Sequence, residues 1–146
     1  MTYPKPADDE ARVAFLHGLS ILDTAQDENL DRITELCRDV FGVETSTISL
    51  VDEHRQWFKS HVGLDACETD REAAFCNYTI MQDEIFEVCD TALDPTFASN
   101  PLVVGAPFIR YYAGAPLVYE GVPLGALCLI HSEPRPPLDE VQRRTL

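Results

Sequence analysis

The chain has 146 residues, 45% of them hydrophobic and 25% charged, and carries a formal net charge of −14. That balance and length describe one globular domain large enough to build its own core. Clustered Lys and Arg are missing, which excludes nucleic acid as a primary partner, and no run of about 18 apolar residues marks a membrane span.

Residues 1–7 read as a tail without the apolar stretch of a secretory signal, so a cytoplasmic setting is expected. Across 8–22, Ala11, Phe15, Leu19 and Leu22 recur at the spacing of one helical face, with Gly18 on the same stripe. Asp8, Asp9 and Glu10 stand where the helix dipole favours acid. After a break at 23–26, Asp27 is placed to cap a second helix. Its expected inward face is Leu30, Ile33, Cys37, Val40 and Phe41, and Gly42 is placed to end it.

The pattern then turns to strands. Residues 45–51 are rich in β-branched side chains, 52–55 are turn-like, and 56–62 follow as the second arm of a hairpin closed by Gly63. Residues 64–107 are less regular. A helix is expected over 72–82, a short strand over 85–89, and one helical turn from Asp94 with Pro95 at its first position. The stretch 100–107 reads as loop, the place to look for a binding element. Two strongly apolar strands, 109–118 and 122–130, join at Glu120-Gly121 and suit the centre of a sheet. Pro134 to Pro137 stop that sheet, and Leu138 restarts a helical pattern that runs to Leu146. The order predicts an α+β domain around one antiparallel sheet. N- and C-terminal helices cover one face, and loops and short helices lie over a ligand pocket on the other.

All of the excess acid lies in residues 1–107, whereas residues 108–146 balance. The acids read as a solvated coat, and the balanced stretch as a surface for packing or docking. Five cysteines, Cys37, Cys67, Cys76, Cys89 and Cys128, include no CxxC pair, and the four histidines add no metal-ligand spacing. Cys37, Cys89 and Cys128 sit in apolar runs and read as core. Cys67 and Cys76 lie in mixed surroundings, where a thiol is either a reactive group or a small hydrophobe. No nucleotide-binding glycine motif and no acid–base pair stands out. Residues 108–118 combine Arg110, Tyr111, Tyr112 and the small segment Ala113-Gly114-Ala115. Such a strand either lines a pocket or marks a close approach of backbone within a core.

Read in order, a set of segments is similar to the GAF domains that precede output domains in bacterial signalling proteins. The set begins with Leu19-x-Ile21-Leu22-Asp23-Thr24 and Leu30-Asp31-Arg32-Ile33-Thr34. It continues through Ile48-Ser49-Leu50-Val51-Asp52 and Arg55-Gln56-Trp57-Phe58-Lys59-Ser60, then Phe75-Cys76 and Asp94-Pro95-x-Phe97-Ala98-x-Asn100-Pro101. It ends with Ile109 to Leu117 and Gly125 to Ile130. The subgroup resembled precedes diguanylate cyclase or histidine kinase domains. Three positions depart from it: Tyr78 stands for a histidine, Ala106 for an acid and His131 for an aspartate. Asn77 after Cys76 departs from the bilin-attaching pattern.

The resemblance implies a sensor domain at 8–137, with 138–146 beginning a helix that leads to an effector domain in the same chain. Its ligand would be a small molecule of unknown identity, its cofactor is unknown, no metal is implied, and a homodimer is expected. The expected ligand-facing residues are Phe58, Phe75, Cys76, Tyr78, Arg110 and Tyr112, with Arg110 as anion anchor and the aromatics as walls. Two alternatives stand beside it: a ligand-free dimerisation module, and an enzyme resembling free methionine-R-sulfoxide reductases, with Cys67 and Cys76 as its thiols.

Overall fold

The computed structural model describes residues 3–146, and its six strands pair in one antiparallel sheet. They are β1 (Thr45–Val51), β2 (Arg55–Val62), β3 (Glu68–Asp70), β4 (Phe86–Val88), β5 (Tyr111–Tyr119) and β6 (Val122–His131), in the spatial order β3-β2-β1-β6-β5-β4. Helices α1 (Asp9–Gly18) and α2 (Glu28–Phe41) come first, α3 (Cys76–Thr79) and α4 (Pro101–Val104) interrupt the strands, and α5 (Glu140–Thr145) comes last. The α+β reading holds, with α2 packed across β1, β2 and β6 on one face. Among the described residues no helix is long and apolar enough to cross a membrane.

Alternation sorts each strand's side chains between two cores. On the α2 side, Phe41, Val43, Tyr111, Ala113, Leu129 and Leu138 pack together, and Leu16 of α1 meets Leu50, Trp57 and Leu124. On the opposite side, Phe75, Cys76, Phe97, Val103, Tyr112, Ala126 and Cys128 form the larger cluster. Strand β1 is buried at all seven positions, although four of them are hydroxyl residues. Each of the four hydroxyls has a partner: Thr45 donates to Gly63 O, Ser46 to Cys128 O, and Thr47 pairs with Ser49. Satisfied hydroxyls are what allow so polar a strand to sit at the centre of the sheet.

The two opening helices are turned differently from what their periodicity predicts, and the first is also shorter. Helix α1 stops at Gly18, and it buries Arg12, Val13 and Leu16 while Ala11 and Leu19 are exposed. The buried arc follows Arg12, whose Nε donates to Asp9 Oδ1 at 3.0 Å. Helix α2 begins on the Asp27 cap and ends on left-handed Gly42 as expected. Its inward arc is Thr34, Cys37 and Phe41, because Thr34 Oγ1 meets Ser60 Oγ on β2 at 2.9 Å. Ile33 and Val40, expected inside, are exposed, as is Leu36.

The single helix expected over 72–82 is replaced by a 3-10 turn at Arg71–Ala73, preceded by β3, and by α3. Ala74 takes an extended backbone (φ −75, ψ 124), which separates the two helical turns. The cause lies in Arg71, which is fully buried. Its Nη1 and Nη2 each donate to Asp9 at 2.8 Å, and its Nε donates to Asn77 Oδ1 at 3.1 Å. One guanidinium thereby ties α1 to the start of α3. Strand β3 was not legible as a strand; its Glu68 and Asp70 are poor β-formers flanking a single Thr69, and it is held by pairing with 55–57 of β2. Phe97 N and Ala98 N donate to Asp94 O at 3.1 and 2.9 Å, closing the single turn expected after Asp94, and a second proline, Pro101, opens α4. Asn100 caps α4 through Leu102 N, so part of the expected 100–107 loop is helical.

At the far edge, Glu87 of β4 accepts from Tyr111 OH at 2.6 Å and from Leu138 N at 2.9 Å, and pairs with Arg143 at 3.3 Å. Helix α5 is opened by a capping box between Asp139 and Gln142. The last helix is therefore joined to the sheet through one carboxylate.

Hydrogen bonds from Arg71 hold Asp9, despite the opposing effect of its burial, well below the ordinary carboxylate value of 3.8, at about 2. A carboxyl depressed on folding contributes stability above its unfolded value and loses it as pH falls through the folded one. The clamp is thus at full strength above pH 3.8 and fails toward pH 2, a contribution of about 2 kcal/mol. Urea midpoints measured from neutral pH downward are expected to fall less steeply across this window in Asp9→Asn than in the parent. Equal slopes would remove the carboxylate from this role.

Candidate functional site

Between the sheet and the α3–α4 side lies a cavity of about 30 Å³. Its floor is Thr47 and Ser49 of β1, Gln56 and Phe58 of β2, Tyr112 of β5, and Cys128 and Ile130 of β6. Phe75 and Cys76 at the start of α3 form a lid over it, with Leu102 of α4 and Pro107 and Ile109 from the segment that follows. That volume suits a water-sized occupant, far below the several hundred Å³ typical of organic-ligand pockets.

Four of the six residues expected at a ligand site, Phe58, Phe75, Cys76 and Tyr112, line this cavity. The other two are placed elsewhere. Tyr78 stacks on Phe86 (5.8 Å, 17°) and meets Phe97 edge-on at 4.9 Å, in the aromatic cluster behind the lid. Arg110 precedes β5, and its Nη1 donates to the carbonyls of Val103 (3.1 Å) and Ile109 (3.3 Å). Its guanidinium ties down the end of α4, so the anchor role expected of it has no support in this arrangement. The departing positions Tyr78, Ala106 and His131 also stand outside the cavity lining.

A polar network crosses the cavity floor. Tyr112 OH pairs with Thr79 Oγ1 at 2.8 Å and lies 3.3 Å from Cys128 Sγ and 3.4 Å from Cys76 Sγ. The two sulfurs are 3.5 Å apart, and Ser49 Oγ approaches Cys128 Sγ at 3.9 Å. Burial pushes both the Cys76 thiol and the Tyr112 phenol up. Gly114 is what admits the phenol: a Cβ there would lie 2.3 Å from Tyr112 Oη. The small segment noted in the sequence thus accommodates a side chain of the same strand.

The sequence reading missed Thr47, Ser49, Gln56 and Cys128. The first two sit on alternate positions of β1, a signal that points to one shared face. Cys128 lies in a uniformly apolar run, which hides any polar role. Cys67, paired with Cys76 in the enzyme alternative, is exposed and lies on a separate groove with Thr24, Lys59 and His61. The thiol beside Cys76 is Cys128, so the arrangement that alternative needs is not formed. Among the described residues no group of three or more His, Cys, Asp or Glu could hold a metal ion.

The family model of the GAF domain matches residues 26–146. A cyclic di-GMP phosphodiesterase of Pseudomonas aeruginosa is 44% identical over 140 residues, which cover 95% of this chain and 24% of that protein. The chain thus spans about a quarter of that relative's length. Among solved structures, the GAF domain of an Acinetobacter phosphoenolpyruvate-protein phosphotransferase matches with a TM-score of 0.66 at 17% identity, over 95% of this chain and 86% of that one. The type II free methionine-R-sulfoxide reductase of Thermoplasma acidophilum matches with a TM-score of 0.54 at 14% identity, over 72% of this chain and 75% of that one. At such identities the likeness is one of fold.

Proposed function

The chain belongs to the GAF domain family, and from that premise we propose that it is the regulatory sensor of a cyclic di-GMP signalling protein. Its output would be cyclic di-GMP hydrolysis rather than the cyclase or kinase outputs suggested by the sequence segments. The relative in Pseudomonas aeruginosa supports this choice. The observation that carries the sensor reading is the small cavity between lid and sheet, bounded by Phe58, Phe75 and Tyr112 and floored by hydroxyls. A small molecule entering it displaces α3 from the sheet. The aromatic cluster then moves with α3, because Tyr78 on α3 stacks on Phe86 of β4. The next residue, Glu87, holds α5 through Leu138 N and Arg143. This continuity supports a relay from cavity to final helix and onward to an effector domain. The exposed stripe Ile33, Leu36 and Val40 on α2 supports a homodimer.

The test uses the full-length protein and its hydrolysis of cyclic di-GMP, with and without a protein-free small-molecule extract of the source cells. The extract is expected to change the rate several-fold, about 1 kcal/mol of coupling or more. Ser49→Leu, which fills the cavity floor, is expected to abolish the response while leaving a basal rate. Absence of hydrolysis would overturn the output assignment. A response of the same size in Ser49→Leu would overturn the cavity as the sensing site.

A further inference from the structure

We propose that Cys76 and Cys128 are a peroxide-sensitive dithiol that closes to a disulfide and fastens the lid to the sheet. The two sulfurs already touch at 3.5 Å, and both line the cavity. A disulfide requires about 2.0 Å between sulfurs, so they need approach by only about 1.5 Å. One sulfur belongs to α3 and the other to β6, so the bond would join the two walls of the cavity.

The surroundings distinguish the two thiols. Burial pushes both up, but at Cys128 hydrogen bonds from Cys76, Tyr112, Thr47 and Ser49 overcome it and hold that thiol below its ordinary value. Cys128 Sγ has three polar side-chain neighbours, Tyr112 OH at 3.3 Å, Cys76 Sγ at 3.5 Å and Ser49 Oγ at 3.9 Å, against two for Cys76, and this geometry makes Cys128 the attacking sulfur and Cys76 the resolving one. The cavity decides which oxidant arrives. A volume of about 30 Å³ admits hydrogen peroxide, which is little larger than water, into the resting cavity, whereas a bulky organic hydroperoxide enters only when α3 lifts from the sheet.

The chemistry balances in two steps. The Cys128 thiol ionises, its thiolate attacks one peroxide oxygen, the O–O bond breaks, and the departing hydroxide takes up the proton that Cys128 released and leaves as water. Cys128 is then a sulfenic acid. The Cys76 sulfur attacks the Cys128 sulfur and the S–O bond breaks. The hydroxide released there takes the Cys76 proton and leaves as the second water. Two thiols and one peroxide become one disulfide and two waters, and two electrons pass from sulfur to oxygen. A dithiol reductant restores the pair. This inference concerns sulfur chemistry in the chain itself and stands apart from the identity of any ligand or output domain.

The experiment treats the purified chain with hydrogen peroxide, quenches with catalase, and alkylates under denaturing conditions before mass analysis of peptides. The expected product is a peptide pair linked through Cys76 and Cys128, lighter by about 2 Da than its two free thiols and released by dithiothreitol. Cumene hydroperoxide at equal concentration is expected to form it at least about tenfold more slowly, since access limits the reaction. In Cys76→Ser, dimedone added together with denaturant is expected to label Cys128. The Cys67→Ser background removes links between chains through the exposed thiol. Full alkylation of both Cys76 and Cys128 after peroxide, with oxidation confined to Cys67, would overturn the proposal. So would equal rates with the two peroxides. The unsubstituted chain decides the main result, whether or not the Cys76→Ser variant folds.

Discussion

Replacing Arg71 with methionine is expected to lower the free energy of unfolding by about 3 kcal/mol, since removing one partner of a buried ion pair strands the other. Urea denaturation followed by tryptophan fluorescence of Trp57 measures it. The side chain is fully buried and bridges three separate pieces of chain. Asp9 of α1 accepts from both Nη atoms, Asn77 of α3 from Nε, and the Glu53 carbonyl in the β1–β2 turn from Nη1 at 3.4 Å. Methionine fills much of the same volume, so the loss reports on the polar partners rather than on a hole. Asp9 keeps Arg12, which places the cost at the lower end for a buried pair. Lysine at this position is expected to recover only part of it, because a single ammonium cannot serve both Asp9 oxygens and Asn77 together. A loss under about 0.5 kcal/mol, the range of ordinary surface substitutions, would show that Arg71 does not hold these elements together.

Gly125→Ala is expected to cost at least about 3 kcal/mol, at or beyond the upper end of ordinary overpacking. Gly125 faces Leu50 across the β1–β6 pairing at the centre of the sheet. A Cβ there would lie 1.7 Å from the Ser49 carbonyl oxygen and 2.9 Å from Leu50 Cα. Both are backbone atoms, so no rotamer change relieves the overlap and the strands themselves must part. Ser49 is also a cavity residue, so the displacement reaches the Cys128 sulfur. Gly18→Ala is the control: nothing lies within 4 Å of the added carbon, and the helical position favours alanine by up to about 1 kcal/mol. Opposite signs in thermal unfolding are expected for the two substitutions. A neutral Gly125→Ala would mean that β1 and β6 are not packed as closely as described.

What the chain declares about itself follows the range of the interaction. Asp27 and Gly42 were legible because a cap acts within three residues of its own helix. The hairpins were legible because their turns are local. The helix expected over 72–82 failed for a non-local reason, since the Arg71 guanidinium reaches Asp9, 62 residues away. Strand β3 shows the same limit, as its partner on β2 supplies what its own residues lack. At the site, the aromatic residues Phe58, Phe75 and Tyr112 were legible by type and alternation. Tyr78 and Arg110 were misplaced because their destinations depend on how α3 and α4 settle against the sheet. Cys128 looked inert because only the fold brings Cys76 and Tyr112 to it.

A cavity with room for little more than a water has a thermodynamic consequence for anything larger that binds there. Such a molecule binds only the fraction of domains that have opened, so its apparent dissociation constant is its intrinsic one divided by that fraction. The same opening equilibrium sets how far binding can move the population, because a ligand that binds both shapes equally moves neither. Weak apparent affinity and a large change in shape therefore come from one free-energy gap. A molecule that suited the resting cavity would be held and would leave the domain as it was. Misfit to the closed form is what makes a ligand informative.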